Sequence, residues 1–248
     1  MSAQIRPLRL QVVSDIICPW CFIGKRALDQ ALKILVVKGL DVEIEWIPYQ
    51  LNPALPPEGM DRKAFRSARF GSWATAQAMD ARAVEAGKVV GADFRYDRQT
   101  RTPNTLAGHA LARLARAEGG AALQTEVIEA LFAAYFTHGE DVGDLAVLGR
   151  IADAAGMGSD AVARSASLKK EVLRHEAAAR ASGLSSVPSY MVNNTLLFSG
   201  SQSVEGYILA LTAAWQDTIE RGRRAALPRT GTPLPENRYG TVPPGLLA

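Results

Sequence analysis

The feature that most constrains this chain is the placement of its only two cysteines, Cys18 and Cys21. Two residues separate them, at the point where one local pattern gives way to another. Residues 8–14 (LRLQVVS) read as a strand rich in β-branched side chains. From Cys21 to about Lys38, Phe22, Leu28, Leu32 and Leu35 recur near helical spacing. Cys18 therefore falls at a helix N-terminus, where unpaired N–H groups and the macrodipole favour a thiolate. The thiolate is the nucleophilic form of cysteine. One helical turn brings Cys21 within disulfide reach, so it can resolve a mixed disulfide formed at Cys18. Pro19 suits the first helical position, because its missing N–H would have been unpaired anyway.

A CxxC also occurs as half of a zinc site, which needs four ligands. Besides carboxylates, the remaining candidates are His109, His138 and His175, and none of them is spaced HxxxH. A pair of inert buried thiols is the other alternative. The redox reading gains from context, because the CxxC sits in a βαβ pattern. Residues 42–48 alternate, with Val42, Ile44 and Trp46 on one face and Glu43 and Glu45 on the other. Strand, helix and strand in about forty residues predict parallel strands joined by a crossover helix.

After Asn52 the character changes. Pro53, Pro56, Pro57 and Gly59 break the chain, and an Ala-rich, helix-forming stretch runs to about Gly183. Thr102-Pro103 predicts an N-cap with proline at the first helical position. Leu106, Ala110 and Leu114 mark one helical face, and Leu123, Val127, Leu131 and Tyr135 another, ended by Gly139. Strands return at 189–192 and 196–199 around Asn193-Asn194-Thr195, a predicted hairpin turn. A last helix is expected from Ser203, its cap, with Ile208, Leu211 and Trp215 inward. Removing the helical block leaves β-α-β-β-β-α order. The expected architecture is α/β, a thioredoxin-like fold with a large helical insertion. Its parts are 1–54 with 181–224 as the thioredoxin-like domain, 55–180 as the insertion, and 225–248 as a tail. The tail holds five of the 13 prolines.

The formal net charge is +3, mild enough to argue against a nucleic-acid partner. No apolar run approaches the ~20 residues that span a bilayer. Met1 to Asp15 holds no signal-like apolar stretch, so a cytoplasmic protein without membrane partners is expected. Arg221, Arg223 and Arg224 complement the C-terminal dipole of the last helix.

The segment Asp15-Ile16-Ile17-Cys18-Pro19-Trp20-Cys21-Phe22-Ile23-Gly24-Lys25 resembles the active-site segment of DsbA-like thiol–disulfide oxidoreductases of the FrnE subfamily. Tyr49-Gln50-Leu51-Asn52-Pro53, Pro103-Asn104-Thr105 with His109, Val187-Pro188 and Gly200-Ser201-Gln202 extend the resemblance over about residues 8 to 217. It departs from the family at Ser186 and Ser201, where glycine and alanine are common. The resemblance implies a nucleophilic Cys18, a resolving Cys21 and a cis Pro188 facing the pair, with Pro19, Trp20 and Val187 touching substrate. A neighbouring branch, the 2-hydroxychromene-2-carboxylate isomerases and kappa-class glutathione transferases, carries serine where Cys18 stands. By that similarity Asn52, Val187, Gln202 and Ser203 are candidate glutathione contacts.

The function so implied is thiol–disulfide exchange on protein or small-molecule thiols and disulfides, by a monomer or homodimer. Neither metal nor cofactor is expected beyond the Cys18–Cys21 disulfide, with glutathione admitted as co-substrate. The alternatives are a glutathione-dependent isomerase or transferase, which serine at position 18 would favour, and a chaperone-like peptide binder. His109 is the one histidine on a helix expected to roof the site.

Overall fold

The computed structural model describes residues 7–226, with side chains through Arg221. Strand β1 (Leu8–Ser14) alternates as its sequence demands. Leu8, Leu10 and Val12 enter the main core, while Val13 faces a smaller cluster with Tyr49, Ala179 and Leu184. Helix α1 (Pro19–Val37) buries Phe22, Leu28, Ala31 and Leu35 along one stripe. It leads to β2 (Val42–Pro48), parallel to β1 from Leu8↔Val42 to Ser14↔Pro48. The buried side chain of Gln124 borders β2. Its Oε1 accepts the Trp46 N–H (3.0 Å) and its Nε2 donates to the Trp46 carbonyl (3.0 Å).

The insertion holds a short ladder, β3 (Met60–Asp61) against β4 (Arg101–Thr102). Between these lie α2 (Arg62–Phe70) and α3 (Trp73–Val90). Then follow α4 (Leu106–Phe132), α5 (Leu145–Ala154), α6 (Ala161–Ser165) and α7 (Lys169–Ala181). Thr102 does not cap a helix as expected, because the ladder claims it opposite Met60. The first helical N–H of α4, from Leu106, goes instead to Asn104 Oδ1 (3.0 Å), with Thr105 at the cap and Pro103 ahead of the helix. The two apolar faces read along this stretch belong to one long helix that breaks at Gly120 (φ 70°). Its continuation, Ala133–His138, widens into a π-helix that Gly139 closes in the left-handed region.

After the insertion, β5 (Ser189–Val192) returns antiparallel to β1, and β6 (Thr195–Ser199) pairs with β5. The turn is shorter than expected. Asn193 and Asn194 alone make it, both at positive φ (52° and 61°), and Thr195 already pairs with Val192. The four long strands form one sheet, ordered β2-β1-β5-β6. Helix α8 (Val204–Ala226) then packs on α1 and runs two residues past the expected boundary. The rest of the Pro-rich tail lies outside the described residues.

Sheet and insertion share one core. Phe22 of α1 stacks on Phe132 and Phe136 (centroids 5.4 and 5.6 Å) and meets Phe94 edge-on (5.6 Å). Aromatic pairs of this kind add about 0.5–1.5 kcal/mol each beyond their buried area. The result is a DsbA-like thioredoxin fold carrying its helical block as an integral part.

Candidate active site

Cys18 is the N-cap of α1, in extended conformation. Its N–H donates to the Asp15 carbonyl (3.0 Å), and its own carbonyl accepts the Cys21 N–H (3.0 Å). Both sulfurs are free thiols. Cys18 is 4% exposed and Cys21 1%, so access comes from the Cys18 side. Cys18 Sγ lies 3.6 Å from the Val187 carbonyl oxygen, and the Val187–Pro188 peptide bond is cis. Burial, and then the adjacent Cys18 sulfur, push the Cys21 thiol well up, against smaller opposing contacts from the Ser14 hydroxyl and the Asp15 backbone. Cys21 therefore rests as a neutral thiol at pH 7.

The support beneath the pair is polar and buried. Asp15, fully buried, accepts the Leu51 N–H at Oδ2 (2.7 Å) and meets His109 Nε2 at Oδ1 (3.2 Å). One carboxylate so ties the cysteine loop to the end of β2 and to α4. On the other side of α1, the Tyr190 and Tyr207 hydroxyls lie 2.5 Å apart. Gly24 faces them, and a Cβ there would come within 2.5 Å of the Tyr190 oxygen, so the close approach requires glycine. Burial raises both phenols, Tyr207 to about 12.

A groove of about 350 Å³ opens over Cys18. Cys18, Pro19, Trp20, Asn52 and Val187, all expected at the site, line it. Trp20 is 43% exposed at its edge. Gln202 and Ser203 do not line it; Ser203 Oγ is engaged as the cap of α8, accepting the Gly206 N–H (3.1 Å). The opposite wall comes from the insertion, through Phe65, Arg66, Arg69 and Phe70 of α2, Met79 and Asp80 of α3, and Tyr135. Asp80 receives Arg62 Nη2 at Oδ2 (2.7 Å) and Arg66 Nη2 at Oδ1 (2.6 Å). Tyr135 was read from the sequence only as part of a helical face, and the wall residues of α2 and α3 were not singled out at all. The available signal was the spacing of Phe65, Arg66, Arg69 and Phe70, which puts them on one helical face.

His109 contributes through Asp15, whereas His138 and His175 stand away from the groove. His138 ends the π-helix, and His175 is near Glu171 on α7 (3.9 Å), its pKa lowered first by burial and then by Arg113. Among the described residues, no three His, Cys, Asp or Glu side chains converge as a metal set.

Comparison with known proteins places this geometry. The chain is similar to the crystal structure of a "probable DsbA oxidoreductase" from Streptomyces coelicolor, at 25% identity and a TM-score of 0.74, over 85% of this chain and 91% of that one. The fold is also that of the cytosolic disulfide reductase DsbM from Pseudomonas aeruginosa, solved with GSH, at 18% identity and a TM-score of 0.56, covering 88% and 100%. The uncharacterized protein YwbO of Bacillus subtilis is 27% identical over 199 residues, 77% of this chain and 89% of that protein. The sequence pattern of the DSBA-like thioredoxin domain matches residues 9–211. With a match across most of its length, joined to a free Cys18–Cys21 pair at the head of α1, the chain belongs to the DSBA-like thioredoxin family.

Proposed function

We propose that the protein is a dithiol–disulfide oxidoreductase that works through a mixed disulfide at Cys18. The observation that carries this reading is the asymmetry of the pair. Cys18 lines an open groove, while Cys21 lies buried behind it as a neutral thiol. The Cys18 thiolate attacks one sulfur of a substrate disulfide, forming a mixed disulfide and expelling one substrate thiolate. Cys21 then loses its proton and attacks Cys18 Sγ. This closes the Cys18–Cys21 disulfide and releases the second substrate thiolate. The substrate gains two electrons, the protein loses two, and an external thiol or dithiol restores the reduced pair.

Val187 presents its carbonyl beside Cys18, where an extended substrate strand can pair with main-chain groups. Pro19, Trp20 and Asn52 form the rest of the contact surface, and no resident cofactor or metal enters the cycle. Glutathione fits as a co-substrate through Asn52 and Val187, but with Ser203 spent on its cap the isomerase reading has less to rest on. A chain whose only two cysteines form the CxxC carries no scaffold of structural disulfides, which suits the cytoplasm. Among the described residues, no helix is long and apolar enough to cross a membrane.

The test is insulin reduction with dithiothreitol, together with trapping by a Cys21→Ser variant. Turnover that vanishes in Cys18→Ser, with substrate held on Cys18 in Cys21→Ser, is the expected result. Activity that survives Cys18→Ser would refute the reading.

A further inference from the structure

The two walls of the groove differ in charge, and the difference bears on substrate. Helix α2, RKAFRSARF, holds Arg62, Lys63, Arg66 and Arg69 and no acidic residue. Arg66 and Arg69 share the groove face with Phe65 and Phe70. Asp80 is the one carboxylate among the described lining residues, and both its oxygens are taken, by Arg62 and Arg66. Two guanidiniums on one carboxylate leave a positive excess. Arg69 adds a second, since among the described residues it makes no ion pair and its guanidinium rests over the Phe70 ring (6.0 Å). The thioredoxin-side lining, by contrast, carries no Lys, Arg, Asp or Glu: Ile17, Cys18, Pro19, Trp20, Leu51, Asn52 and Ser185 to Val187. Arg66 is held in place by Asp80 and by the Ala76 carbonyl (3.3 Å), so part of the positive wall is preorganised.

We infer that this wall selects small disulfides bearing carboxylates, with Arg69 as the principal anion contact and Arg66 as its fixed neighbour. The inference rests on the oxidoreductase reading and adds to it the charge of the substrate. A volume of about 350 Å³ is that of a small-molecule site. Cys18 and the two arginines line the same groove, so a substrate seated there can present a carboxylate to them while its sulfur meets Cys18. Arginine suits the role because its planar fork takes a carboxylate in two parallel hydrogen bonds.

The experiment oxidises the reduced full-length protein in single turnover with three small disulfides. These are 3,3′-dithiodipropionate (anionic), 2-hydroxyethyl disulfide (neutral) and cystamine (cationic). Formation of the Cys18–Cys21 disulfide is followed by acid quench, alkylation and mass spectrometry. Each rate is divided by that of the same disulfide with free dithiothreitol, which removes its intrinsic reactivity. The expected anion-to-cation ratio is about tenfold or more at low ionic strength, shrinking as salt is added. Arg69→Glu, checked for folding by circular dichroism, is expected to bring the ratio to unity or below. Lys63→Glu makes the same charge change on the same helix outside the groove and is expected to leave the ratio in place. Equal corrected rates for the three disulfides, or equal effects of the two variants, would overturn charge selection while leaving the oxidoreductase reading intact. Failure of all three to oxidise the Cys18–Cys21 pair would overturn both.

Discussion

The two sides of the groove are fixed by different means. On the thioredoxin side the fastenings all engage main-chain N–H groups. The Cys18 N–H rests on the Asp15 carbonyl, the Leu51 N–H on the Asp15 carboxylate, and the Gly200 N–H on the Pro188 carbonyl (2.8 Å). On the insertion side they are charged side chains, Arg62 and Arg66 converging on Asp80. Main-chain hydrogen bonds carry much of the hold on the sulfur, with one buried carboxylate beneath them. The charge of a wall built from arginine side chains, by contrast, can be rewritten by a single substitution. In the proposed function, chemistry and selectivity therefore sit on separately mutable surfaces.

The largest effect that could break this division is at the sulfurs. Cys18→Ser is expected to abolish insulin reduction, and in the wild-type reduced protein iodoacetamide should label Cys18 well before Cys21. Mass mapping that finds Cys21 labelled first would reverse the roles. Next, Asp80→Ala strands the buried Arg62 charge and leaves the half-buried Arg66 unpaired, and is expected to cost about 3 kcal/mol in urea unfolding. Under native conditions the Cys18-first labelling order should survive. Its loss would show that the two walls are not separable.

Alkaline pH probes both sides at once. Burial raises Tyr135 in the insertion and Tyr207 on α8 to about 12, from an ordinary 10.0. The folded chain holds these phenolic protons more tightly than the unfolded chain. Their contribution is complete below pH 10 and is lost as pH rises toward about 12. Unfolding midpoints should fall across that window, and Tyr135→Phe or Tyr207→Phe should each flatten the fall. A midpoint that does not move between pH 9 and 12 would contradict this. Smallest of all, Asn194→Ala in the β5–β6 turn should cost about 1 kcal/mol for its left-handed backbone and spare turnover. A loss of activity there would tie the hairpin to the site.

Much of the thioredoxin side was legible because its determinants are local. The Cys18–Cys21 spacing, the alternation in β1 and β2 and the α1 stripe can all be read within a few residues of one another, and the long-strand ladder follows them. The insertion side was legible as helices but not as a wall. Asp80 meets Arg62 from 18 positions away and Asp15 meets His109 from 94, and no local period announces such pairs. Where local signals did mislead, tertiary pairing had overridden them. Thr102-Pro103 has the composition of a helix start, yet Thr102 is spent on the ladder with Met60. The contacts proposed from resemblance divided in the same way. Asn52 and Val187 reach the groove, while Ser203 is held by its own helix.

The amide of Gln124 has a consequence for how molecules of this protein meet one another. β2 is a border strand of the sheet, and a border strand ordinarily offers a row of free N–H and C=O groups to any passing chain. At Trp46, near its middle, one side chain takes both groups as a neighbouring strand would, and it is fully buried in doing so. The sheet is thereby closed on that flank against intermolecular strand pairing and the aggregation it seeds.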